Sequence, residues 1–261
     1  MYVWKGTYVK EVKMEIMNII PGKFVEEYDS HDGGHMLFAH LVGKNGYTRT
    51  YKKMKGTKIL DNSWWELRKN LPIKTLIQKA HMIEADVLTL PDFFIADKKF
   101  YEKIRKCLKL IEKLDKNIKV MGVVKGTSLK EELNSFDYFN SLIGIDWIAV
   151  PYPVRVWDEW RRPELINMID KLFNSRGFGI EKPVHLFGVN NLETLKSEKR
   201  YYVQSADTTL AFKCGYFNIK LPIHPSQDPK RPKDYFEIKK INKKQEECIK
   251  HNLKWMSDFK E

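Results

Sequence analysis

Ile118-Lys119-Val120-Met121-Gly122-Val123-Val124-Lys125-Gly126-Thr127-Ser128-Leu129-Lys130-Glu131-Glu132 holds the change of period that decides the fold of this chain. An apolar run of strand length ends in a glycine turn, and a helix start follows directly. Ser128 is placed to cap that helix, and Glu131 completes a capping box. Apolar positions then recur at spacings of three and four through residue 140, and residues 147–150 read as a strand again. Strand, helix and strand in that order describe a parallel pair joined by a crossover helix.

The same alternation extends in both directions. Candidate strands are residues 35–42, 57–60, 86–90, 118–124, 147–150, 184–187, 201–204 and 217–221, eight in all. Candidate helices between them are 72–83, 98–114, 128–140, 163–175 and 191–199. Eight parallel strands with intervening helices predict an α/β TIM (β/α)8 barrel. A doubly wound sheet would give a similar pattern over the first five units, but no Gly-x-Gly-x-x-Gly follows the first strand. The organisation expected is one domain over residues 1–261: an N-terminal cover (1–34), the barrel (35–221), and a tail (222–261) that is Pro-rich, then Lys-rich, ending in a basic helix over 234–259.

Composition narrows the setting. A chain of 261 residues with 43% hydrophobic content can bury a barrel-sized core. Its net charge of +12 favours a polyanionic partner, nucleic acid first. Three cysteines lie far apart, with neither a disulfide framework nor a zinc pattern, as expected of a reducing compartment. The first residues lack a signal-peptide core, and no run approaches the ~18 apolar residues of a membrane helix. The reading is a soluble, cytoplasmic protein with no membrane partner, in a host cytoplasm if the chain is phage-encoded. Four histidines, His31, His35, His40 and His81, fall near the first strands without metal-ligand spacing, so no metal is expected. His185 reads as a hydrogen-bonded core residue, and Glu66 as a local structural one. One of the Trp64-Trp65 rings is expected to wall a pocket while the other packs inward.

Catalytic groups in such a barrel come from the carboxyl ends of different strands. Asp61, Asp92, Lys125 and Asp207 all follow apolar runs at such ends. Each Asp is equally a common helix cap, and their joint order carries more than any one of them. After residue 152 a short span packs Arg155, Trp157, Trp160, Arg161 and Arg162, cations for phosphates and rings for bases. The competing reading has the tryptophans covering the barrel mouth and the arginines paired with Asp158, Glu159 and Glu164.

Taken in order, these segments resemble the tRNA-guanine transglycosylase superfamily, and more closely its short phage and bacterial relatives that insert 7-deazaguanine bases into DNA. Leu60-Asp61-Asn62-Ser63-Trp64-Trp65-Glu66 stands where that family has Thr-Asp-Ser-Gly-Gly-Phe-Gln, and Leu90-Pro91-Asp92-Phe93 where it has a base-binding Phe-Asp element. Gly122-Val123-Val124-Lys125-Gly126 is similar to its Gly-Ile-Val-Gln-Gly turn, and Leu186-Phe187-Gly188-Val189 to its Leu-Met-Gly-Val strand end. The resemblance covers roughly residues 57–212 as short motifs.

It implies Asp207 as nucleophile and Asp61 as general acid/base. Asp92, Lys125, Gly126, Ser63, Phe187 and Gly188 would meet the base, and Arg155, Trp160, Arg161 and Arg162 the nucleic acid. No cofactor is implied; the partners are DNA, with tRNA as the alternative, and a free 7-deazaguanine base. Two departures stand out. Lys125 replaces a base-binding glutamine, and the Cys-x-Cys-x-x-Cys zinc subdomain has no counterpart after Asp207, which turns the expected substrate from tRNA toward DNA. A catalytically silent nucleic-acid-binding barrel is the alternative of another class, and a homodimer is left open.

Overall fold

The computed structural model describes residues 14–29, 33–44, 46–92, 97–152, 161–177 and 179–258. Its strands are β1 (Glu15–Asn18), β2 (His35–Phe38), β3 (Lys58–Asp61), β4 (Val87–Thr89), β5 (Lys119–Val123), β6 (Trp147–Pro151), β7 (Val184–Phe187) and β8 (Val203–Thr208). At least one helix follows each: α1 (Val25–Tyr28), α2 (Tyr47–Lys53), α3 (Trp64–Leu67) with α4 (Ile73–Ile83), α5 (Lys98–Leu114), α6 (Leu129–Ser141), α7 (Arg161–Arg176), α8 (Leu192–Glu198) and α9 (Leu210–Tyr216). A last helix, α10 (Lys243–Asp258), lies on α9.

All pairings are parallel, in the order β1-β8-β7-β6-β5-β4-β3-β2, so the sheet curls into a nearly closed TIM-type barrel. Leu37, Ile59, Leu60, Val87, Leu88, Met121, Ile148, Val150, Val184, Leu186 and Val203 are buried, as required of strands covered on both faces. At the seam between β1 and β2 a side chain stands in for the ladder: the Glu15 carboxylate accepts the Gly34 N–H. A Cβ at Gly34 would press on the side-chain ends of Glu15 and Met17, so glycine leaves this contact undisturbed.

The predicted barrel stands, but one of its strands comes from elsewhere. Glu15–Asn18, inside the segment expected to be a cover, pairs with β8. Residues 217–221 form no strand. They turn the chain between α9 and α10, where the buried Asn252 side chain accepts the Leu221 N–H (2.8 Å) and donates to Ala211 O (3.1 Å) and Ile219 O (2.9 Å). An alternating apolar and polar stretch next to a helix end packs as well in a turn as in a strand, and period alone does not separate the two.

The tail also does more than lie outside. Tyr235 is buried and donates its hydroxyl to Ile19 O at 2.6 Å, and the Phe236 ring packs 4.9 Å from Phe38. Residues 235–237 therefore cross the rim where β1 and β2 end, and the terminal helix begins at Lys243 rather than in the 230s.

The contact of α9 with α10 is close enough to test. A Cβ on Gly215 would lie 2.6 Å from Ile249 N and 2.7 Å from its Cα, both backbone atoms that cannot rotate away. Gly215→Ala should cost on the order of 1–3 kcal/mol in urea unfolding; unchanged stability would mean that α10 is not seated against α9.

Candidate active site at the carboxyl ends of the strands

The carboxyl ends of the strands share one rim, and Asp61, Asp92, Lys125, Gly188 and Asp207 all stand on it. Asp207 is 5% exposed within β8. Its Oδ1 accepts the Gly188 N–H at 3.0 Å and lies 3.1 Å from His185 Nε2. The other ring nitrogen of His185 sits 2.7 Å from Ser205 Oγ. Among the described residues no donor reaches Oδ2, so one oxygen is anchored and the other is left for an incoming atom.

A bulge makes this possible. Val184 pairs with Val203 but His185 with Ser205, so Gln204 is an extra residue in β8. The slip brings Ser205 opposite His185, with Asp207 on the same side of the strand. Sequence reading placed His185 in the core and hydrogen-bonded, which is correct, but missed its partner. The signal was present in the period-2 spacing of Ser205 and Asp207, yet the bulge that aligns them with His185 exists only in the paired sheet.

Asp61 closes β3, and the chain after it turns sharply. Its Oδ1 accepts the Ser63 N–H at 2.6 Å, Asn62 Oδ1 accepts the Trp64 N–H at 2.8 Å, and Asn62 Nδ2 reaches Leu90 O at 2.6 Å. Ser63 has φ +60° and Arg68 φ +53°, left-handed conformations that cost a non-glycine residue about 1–2 kcal/mol each. Asp61 keeps some solvent contact although protein surrounds it, as at the floor of a concavity. Burial, then the negative charge of Glu66 and more weakly of Asp207 and Asp92, push its carboxyl well above the usual carboxylate range; the Ser63 N–H opposes the shift. Two carboxyl groups on strands far apart in sequence thus feel one another across the same floor.

Asp92 is clasped by Lys125, whose Nζ lies 2.7 Å from Oδ1 and 2.9 Å from Oδ2. Asn70 brackets the Asp92 backbone, accepting its N–H at 2.8 Å and donating to its carbonyl at 2.5 Å. Lys125 is therefore an ion-pair partner of the expected base-binding carboxylate. Phe187 stands beside His185, ring centres 5.0 Å apart.

Three of the expected base-binding residues also have structural reasons for their identity. Ser63 is fully buried, with its hydroxyl under the His40 N–H at 3.1 Å. Gly126 is glycine because a Cβ there would meet Glu132 N at 2.5 Å, at the start of α6. Gly188 is glycine because its φ is +66°.

The arginines depart most from expectation. Arg162 is 2% exposed and ion-paired with Glu198, Nε to Oε1 2.7 Å and Nη2 to Oε2 2.9 Å. A guanidinium so enclosed presents nothing to a phosphate, which corrects its assignment to nucleic acid. Arg161 pairs with Glu132 at 2.9 Å. Both arginines pair with acids far along the chain, Glu132 and Glu198; Asp158 and Glu159, the acids expected to pair with them, lie outside the described residues. Arg155, Trp157 and Trp160 lie outside the described residues, as does Phe93.

Glu66 connects this floor to the tail: its Oε1 accepts from Arg231 Nη2 at 3.2 Å, while Oε2 is buried with no hydrogen-bond partner among the described residues. Trp65 is 43% exposed and carries the Arg68 guanidinium 3.9 Å above its ring, so it does not pack inward. A concavity of about 530 Å³ opens at the opposite rim, between Gly56, Asp86, Asp115, Lys119 and Trp147. There Asp86 and Asp146 accept the Lys58 and Val120 N–H groups, both at 2.8 Å, which ties down strand starts and brings no catalytic groups together. Among the described residues no group of His, Cys, Asp and Glu is arranged to hold a metal ion, and no helix is long and apolar enough to cross a membrane. No protein-family model matches the chain, and no curated protein matches it significantly.

The Asp61 shift has a measurable sign. A native carboxyl that keeps its proton, where the unfolded chain has released it, loses stability as pH rises from about 4 toward the raised native value. His40 acts oppositely: burial first, then Lys44, Arg231 and Lys79, lower it from 6.5 to about 4, so its contribution rises with pH across that interval. Asp61→Asn, with no proton to lose, should lack the downward Asp61 contribution, so its urea stability should fall less, or rise more, with pH above about 4 than that of the wild type. An identical pH slope in the variant would show that Asp61 is not the titrating group.

Proposed function

We propose that the chain is a transglycosylase that exchanges guanine for a 7-deazaguanine base in DNA through a covalent aspartyl intermediate. The observation that carries this reading is the pair Asp61 and Asp207: two carboxyl groups on one barrel floor, one biased toward its protonated form, the other anchored by one oxygen. Carboxyl groups in unequal environments divide acid and nucleophile roles between them. Exchange with retention at a glycosidic carbon needs two displacements.

Asp207 Oδ2 attacks C1′, the bond from C1′ to the base breaks, and its electron pair leaves with the base, which takes the Asp61 proton. An incoming base returns a proton to Asp61, attacks C1′ and releases the Asp207 carboxylate. A guanine-like edge brings N–H donors of its own, which compete with Lys125 for the Asp92 oxygens. His185 and the Gly188 N–H keep Asp207 from rotating between the two steps.

The net charge of +12 supports a nucleic-acid substrate, and the lack of a Cys-x-Cys-x-x-Cys motif after Asp207 supports DNA over tRNA. A base within a duplex must be flipped out to reach such a floor, at a cost of a few kcal/mol.

Intact-protein mass after incubation with DNA and free 7-deazaguanine should show a covalent adduct, absent in Asp207→Ala, whose base exchange should drop by at least about 10³-fold. Asp61→Asn should slow turnover by about 10²- to 10⁴-fold while DNA is still bound. Unimpaired exchange by Asp207→Ala would end the mechanism, and an adduct on tRNA alone would replace the substrate.

A further inference from the structure

Arg162 spends its donors in two directions. Nε and Nη2 grip Glu198, and Nη1 donates to Phe187 O at 2.7 Å. That carbonyl already receives the Tyr152 N–H at 3.0 Å, so its backbone requirement is met and the guanidinium comes in addition. Phe187 C=O and Gly188 N–H belong to a single planar peptide unit. Fixing the oxygen fixes the direction of the N–H, which donates to Asp207 Oδ1 at 3.0 Å. A cation on the carbonyl side also polarises the unit and strengthens the N–H as a donor. Gly188, at φ +66°, supplies the backbone conformation.

We infer that Arg162, held by Glu198, is a positioning residue for Asp207, acting through the peptide unit between Phe187 and Gly188; its kinetic consequence rests on the transglycosylase reading. A buried ion pair is weak evidence for stability, since apolar residues of similar volume often serve as well. Here the fork geometry supplies what an apolar pair lacks: two donors for a carboxylate and a third for a carbonyl. The line Glu198, Arg162, Phe187–Gly188, Asp207, His185, Ser205 is continuous in hydrogen bonds through β7 and β8.

Hydrogen exchange at the Gly188 amide tests this without substrate. The Val189 amide, which donates to the Asp207 carbonyl at 2.8 Å, is the internal reference. In Arg162→Lys, whose single ammonium lacks the fork, Gly188 should exchange roughly tenfold faster with Val189 unchanged. The kcat of base exchange should fall about tenfold or more at constant KM. Should that variant fail to fold, the double variant Arg162→Met with Glu198→Leu keeps the core filled, and the same Gly188 change is expected. Equal Gly188 exchange in variant and wild type overturns the positioning role, whatever the activity. A faster Gly188 amide, in a protein whose wild type performs no base exchange, keeps the positioning role and discards the transglycosylase reading.

Discussion

Backbone hydrogen bonding between parallel neighbours is the constraint on which everything else in this protein rests. Eight strands running the same way must all end on one rim, so whatever polar residue terminates a buried run is delivered to a common floor. Asp61, Asp92, Lys125 and Asp207 meet there because of that geometry, with between 31 and 146 residues of separation along the chain from first to second and from first to last. The seam between β1 and β2 completes the circle without a ladder, through the Glu15 side chain and a glycine that makes room for it.

Gathering carboxylates on a desolvated floor is unfavourable, and the structure offsets it differently at each one. Lys125 neutralises Asp92 directly, and Arg231 reaches Glu66 from the tail. Asp207 is held by a peptide N–H and the His185 ring rather than by a lysine or arginine. Asp61 accepts the Ser63 N–H and is shifted toward its neutral form instead. The unequal compensation gives chemically similar side chains different behaviour.

The chain is strongly basic, yet Arg161, Arg162 and Arg231 are committed to carboxylates of the protein itself. Arg161 and Arg162 link α7 to α6 and α8 through Glu132 and Glu198, and Arg231 ties the tail to the loop after β3. Such pairs give direction to the groups they touch more than they add stability. Arg162 is the clearest case, because the carbonyl it holds shares a peptide unit with the amide that anchors Asp207.

The amino-acid sequence by itself determined the barrel. Alternation of strand and helix periods located seven of the eight strands and the major helices, because both periods are local properties that survive in a linear reading. Position after an apolar run was enough to nominate Asp61, Asp92, Lys125 and Asp207. Tertiary structure alone decided which strand closes the sheet: β1 lies outside the strand–helix alternation, in the stretch read as a cover, whereas residues 217–221 alternate apolar and polar positions and form a turn. It also decided partners. The bulge at Gln204, the clasp of Lys125 on Asp92 and the burial of Arg162 against Glu198 each join residues distant in sequence. A carboxylate or guanidinium takes its character from what surrounds it in space, and composition cannot supply that.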